Sequence, residues 1–116
     1  MGNIVTGLDY ILNCPVTVKI RTGLIDSKPV AEKLIAKFID WNVQAVTLHG
    51  RSQQQRYSRL ANWEYIDQCA QTAQDKIAFF GNGDILSPCQ YHEKLNSITN
   101  MDGIMIGRGA LQKPYI

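Results

Sequence analysis

The chain has 116 residues, of which 45% are hydrophobic and 19% charged, and a formal charge of +2. That composition excludes a disordered or fibrous protein and leaves room for one globular domain at most. The charge is too mild to announce nucleic-acid binding by itself. No apolar run approaches the roughly 20 residues that span a bilayer, so no membrane insertion is expected.

Residues 1–12, MGNIVTGLDYIL, match a myristoylation pattern superficially, with Gly2 behind Met1 and Thr6 at the favoured position, but they also read as an amphipathic helix entering a strand. Residues 16–23, VTVKIRTG, are β-branched and predict a strand. In residues 28–42, Val30, Leu34, Ile35, Phe38 and Ile39 recur at helical spacing. A second strand is predicted over residues 44–50, QAVTLHG. After a polar loop comes a helix over residues 62–73, with Asn62 as N-cap and Trp63, Ile66 and Ala70 facing inward. Residues 76–83, KIAFFGNG, predict the third strand, and residues 87–96 a helix capped by Ser87 with Pro88 in its first turn. A fourth strand is predicted over residues 102–107, with a short helix from Ala110.

Strands recurring at roughly 25 to 33 residues have the usual size of βα units in a parallel sheet. None of the four alternates simply between apolar and polar, as expected of strands covered on both faces. The class is α/β, either an open doubly wound sheet or part of a (β/α)8 TIM barrel. Polar or glycine-rich residues close every strand: Lys19 and Arg21, His49 and Arg51, Asn82 and Asp84, Gly107 and Arg108. In a barrel these ends meet on the face where active sites are built, so the repetition favours the barrel. A whole barrel takes about 250 residues. About four βα units are therefore expected to be a C-terminal-half piece of a larger protein.

The GNGD and GRGAL turns suit an anion, because glycine lets backbone N–H groups approach a phosphate; simple βα turn chemistry is the plainer alternative for either one alone. Lys19 lies inside an apolar run, where a charge must be paired or must snorkel out. His49 closes a strand and could donate to a ligand or bond to backbone; His92 reads as a solvated helix position. Arg51, Arg56 and Arg59 surround Tyr57 in residues 51–63, a composition that fits RNA as well as it fits a solvated loop. Cys14, Cys69 and Cys89 are odd in number, with no CxxC pair and no zinc-finger histidines. They fit a reducing, intracellular compartment, with no metal and no catalytic thiol expected.

The strings CPVTVKIRTG, VTLHGRSQQQRYSRLANWEYI, FFGNGDILS and GIMIGRGALQKPYI, taken in order through almost the whole chain, resemble the tRNA-dihydrouridine synthases, most closely the eukaryotic class acting in the tRNA variable loop. The resemblance implies an FMN-dependent TIM-barrel oxidoreductase of the cytoplasm or nucleus. NADPH would reduce the flavin, which passes hydride to C6 of a uracil flipped out of tRNA while a cysteine protonates C5. Carried over by motif, Lys19, His49, Asn82, Gly83, Asp84, Gly107 and Arg108 are the cofactor-binding residues. Arg51, Arg56 and Tyr57 are candidates for RNA contact.

The family's proton-donating cysteine belongs to an earlier strand that is missing here, and Cys14-Pro15 imitates its motif only superficially. The first flavin-binding strands, the helical tRNA-binding domain and the zinc-finger region are missing too. Residues 1–116 are thus expected to be a partial catalytic domain, inactive alone. Two alternatives stay open: a phosphate-binding barrel isomerase or aldolase using Lys19 as Schiff-base former or general base, and a non-catalytic half-barrel remnant.

Overall fold

In a computed structural model of the chain, residue 7 and residues 14–24, 29–54 and 60–114 are described. The predicted N-terminal helix and the myristoylation pattern fall almost wholly outside these residues, as do Arg56, Tyr57 and Arg59. The order is β1 (Thr17–Arg21), α1 (Ala31–Asp40), β2 (Ala45–His49), α2 (Trp63–Ala73), β3 (Ala78–Asn82), α3 (Pro88–Ser97), β4 (Gly103–Met105) and α4 (Arg108–Gln112). All four strands are parallel and lie side by side in chain order. Each strand and helix predicted within the described residues is present within a few residues; α4 starts at Arg108, two residues before its expected start.

Apolar periodicity decides how the layers meet. One face of the sheet presents Ile20, Val46, Leu48 and Phe79 to Ile35 and Phe38 of α1 and to Ile66, Ala70 and Ala73 of α2, forming a single core. Phe38, Phe79, Ile35, Leu48, Ile66 and Val46 are fully buried, and each such side chain contributes about 1.5–3 kcal/mol. By contrast, α3 buries none of its residues.

Local polar groups complete the frame. Asn62 caps α2 by accepting from the Tyr65 N–H, and Ser87 caps α3 by accepting from the Gln90 N–H, as their sequences predict. Val30 offers α1 no capping side chain. Instead the Glu32 N–H donates to the Tyr65 hydroxyl at 3.1 Å, so that α2 satisfies a first-turn donor of α1. Burial raises the Tyr65 hydroxyl to about 12. Between β3 and β4, Phe79 N–H donates to the Asp102 carboxylate and Asp102 N–H returns a bond to the Phe79 carbonyl, both at 2.8 Å.

The described helices cover one face of the sheet; the opposite face carries exposed Thr17 and Lys19, half-buried Phe80, Met105 at 41% exposure, and the buried Thr47, His49 and Asn82. Among the described residues no element packs on it. The missing apolar/polar alternation arises because this second face mixes Ala45, Thr47, Ala78 and Phe80 with its charged members, and so hides the period of two.

Candidate functional site

Register builds the site. Arg21 pairs with His49, His49 with Asn82, and Asn82 with Met105, so one row crosses the C-terminal ends of all four strands. One step back, Lys19, Thr47, Phe80 and Gly103 form a second row on the same face. Just beyond these rows the turns after β3 and β4 close a cavity of about 320 Å³. Lys19, His49, Asn82, Gly83, Asp84, Gly107 and Arg108 all line it, and so does Arg51. Seven residues scattered over ninety positions of sequence are brought to one place.

The turn after β3 has the least freedom. Gly83 adopts φ +141°, a region side chains rarely occupy, and a Cβ there would collide with that of Ala61 while touching the His49 ring. Asp84 follows at φ +51°. Its carboxylate accepts from Arg51 Nη2 at 2.6 Å, from the Ala61 N–H, and from Arg108 Nη2 at 3.4 Å. Burial pushes the Asp84 carboxyl upward, but the Ala61 N–H and the two guanidinium groups outweigh it, and the net shift is downward. Asp84 is thus a joint between three segments: the end of β2, the entry to α2 and the start of α4.

Arg51 differs from what its place in a polar loop suggests. Its side chain is 3% exposed. Nη1 contacts His49 Nε2 at 3.1 Å, and its backbone carbonyl accepts from the Thr22 N–H at 3.0 Å. Burial, followed by the charges of Lys19, Arg51 and Arg21, lowers His49 to about 4, with Asp84 opposing. At neutral pH the imidazole is uncharged. Asn82 donates its side-chain amide N–H to the Met105 carbonyl at 2.8 Å while its backbone carbonyl accepts from the Gly50 N–H, which fixes the end of β3 between its neighbours.

Four cations, Lys19, Arg21, Arg51 and Arg108, line the cavity against the single carboxylate of Asp84, an imbalance that suits an anionic ligand. A Cβ on Gly107 would meet nothing within 4 Å, so the backbone there is open to a close approach. Gly109 is needed for another reason: a Cβ would strike the Ile85 carbonyl, so the second glycine of GRGA lets α4 pack on the turn after β3. Arg21 was legible as a strand-end cation two residues from Lys19, but its place in the row follows only from the pairing. Met105 and Gln112 carry no signal in the sequence that marks them as lining residues.

None of the three cysteines lines the cavity. Cys69 is buried in the helical layer, where burial raises its thiol to about 12, and Cys14 and Cys89 are exposed. Among the described residues no group of three His, Cys, Asp or Glu side chains could hold a metal. No described helix is long and apolar enough to cross a membrane.

The family model described as dihydrouridine synthase matches residues 1–116. The chain belongs to the dihydrouridine synthase family. It is 51% identical over 113 residues to the tRNA-dihydrouridine(47) synthase-like protein of Xenopus laevis, covering 97% of this chain and 17% of that protein. The namesake in Homo sapiens is 48% identical over 113 residues, with the same coverage of 97% and 17%. The tRNA-dihydrouridine(47) synthase of Cryptococcus neoformans is 43% identical over 126 residues, covering all of this chain and 17% of its own length. The names of these relatives also specify NAD(P)(+). The chain thus spans about a sixth of the length of these relatives.

Proposed function

We propose that this chain supplies four consecutive βα units of a (β/α)8 barrel that reduces specific tRNA uridines to 5,6-dihydrouridine, with FMN as cofactor and NADPH as reductant. The observation that carries the reading is the cavity: the seven residues assigned to the cofactor by motif, drawn from four strand ends, line one cationic pocket. Its size lies in the range of small-molecule sites.

The residues present fit a flavin mononucleotide. Arg108 and the open backbone at Gly107 suit its phosphate; Lys19, half a strand deeper on the same face, suits the electron-rich edge of its ring. Asn82 is oriented by Met105, and His49 presents a neutral ring. Bound FMN would supply hydride chemistry that no side chain can perform. The chain's own task would be to bind, orient and hold charge: cations for the phosphate, His49 as a neutral hydrogen-bonding group, and Asp84 as the joint that keeps the loops together.

The uncovered face bearing Lys19, Phe80 and Met105 supports a barrel interior continued by further strands, and the distance of all three cysteines from the cavity supports a proton donor outside these residues. The chain by itself is then inactive. The test is to purify the intact protein and measure bound flavin and NADPH-dependent formation of dihydrouridine in tRNA. A colourless protein that binds no FMN would defeat the reading. Turnover by residues 1–116 alone would defeat the claim of inactivity.

A further inference from the structure

Arg51 lines the cavity with the other cations, but its buried guanidinium also touches both a histidine and an aspartate, which attraction for an anion alone does not require. A guanidinium has five donors and no acceptor. At 3.1 Å from His49 Nε2 it can only donate, so Nε2 must present its lone pair. In a neutral ring the proton then sits on Nδ1. An imidazolium would set donor against donor and cation against cation. The second arm of the same guanidinium holds Asp84 at 2.6 Å.

The backbone makes this arrangement rigid. Arg51 N–H donates to the His49 carbonyl at 2.7 Å, its own carbonyl accepts from Thr22, and Gly50 N–H is bonded to the Asn82 carbonyl. The tripeptide from His49 to Arg51 is therefore folded back on itself, and the guanidinium returns to Nε2 of the ring two residues earlier.

We propose that Arg51 is a positioning residue: it holds His49 as the neutral Nδ1–H tautomer and locks that ring to Asp84, so that His49 serves the site as a neutral hydrogen-bonding group and not as a proton donor. The charged groups around the ring agree. Lys19 and Arg21 approach from β1 and Arg51 from the end of β2, all disfavouring protonation, against Asp84 alone from the turn after β3. Arg51 then reaches the reaction only through His49 and Asp84. Its meaning for catalysis rests on the flavin reading above, but the tautomer itself does not.

Nuclear magnetic resonance of the intact protein with 15N-labelled imidazole, recorded without FMN, reads the tautomer directly. His49 signals are assigned by their loss in His49→Gln. The expected result is a proton on Nδ1 and a bare Nε2 at neutral pH. In Arg51→Met the Nε2–H form becomes populated and the titration rises above about 4, only part of the way to the ordinary value because burial and Lys19 still lower it. Arg51→Lys, which keeps the charge, retains the low titration but cannot span both partners. A proton on Nε2 in the unaltered protein overturns the proposal without any variant, as does an unchanged tautomer and titration in folded Arg51→Met. A separate FMN titration tests the flavin reading, so the two can fail independently.

Discussion

Replacing Asp84 by asparagine removes one charge and almost no volume, and it isolates the joint between the loops. Arg51 is 3% exposed and its carboxylate partner 20%. Two charges about 4 Å apart attract by about 4 kcal/mol at an effective dielectric constant of about 20. Deleting one partner of a buried pair typically costs about 3–5 kcal/mol, because the remaining charge stays desolvated. A fifth of the Asp84 side chain meets solvent, so water can reach the gap, and the lower end, about 3 kcal/mol, is expected. Asp84→Asn keeps an oxygen for the Ala61 N–H, whereas Asp84→Ala also removes that acceptor and should cost about 1 kcal/mol more. Urea denaturation of the intact protein, followed by tryptophan fluorescence, measures both. A loss below about 1 kcal/mol for Asp84→Asn would mean that Arg51 is hydrated in solution, and the joint would not exist as described.

Gly83→Ala is expected to lose about 2–5 kcal/mol from strain at positive φ and overpacking against Ala61, and to lower FMN affinity; equilibrium unfolding and flavin titration check it, and a neutral effect would refute the turn geometry. Lys19→Gln, at an exposed position, should leave stability within about 0.5 kcal/mol while weakening flavin binding, so unchanged binding would remove Lys19 from the site. Because His49 is lowered from 6.5 to about 4, the unfolded chain takes up a proton that the folded ring refuses, and stability should fall as pH drops through that window. Asp84, held below 3.8, adds its own loss only at more acid pH, as its folded-state carboxyl is protonated. Thermal melts should show the first stage missing in His49→Gln. For Arg56→Ala, reduced tRNA affinity with flavin content unchanged is expected in a filter-binding assay; unchanged affinity would count against RNA contact by that loop.

The order of strands and helices was written in local signals, since β-branched runs, the Asn62 and Ser87 caps and the helical spacing of Ile35 and Phe38 act within a few residues. The same holds for the strand-end positions of Lys19, His49, Asn82 and Arg108 and for the two glycine turns, whose chemistry is carried by residue type. What the sequence could not say was which of these ends share a row, because pairing register is set by packing across the sheet; Arg21, His49, Asn82 and Met105 became neighbours only there. Nor could it place Arg51, which as a residue type fits solvent, RNA or a carboxylate equally well. Tertiary structure decided between them by burying the guanidinium where Asp84 and His49, 33 residues and two residues away, converge on it.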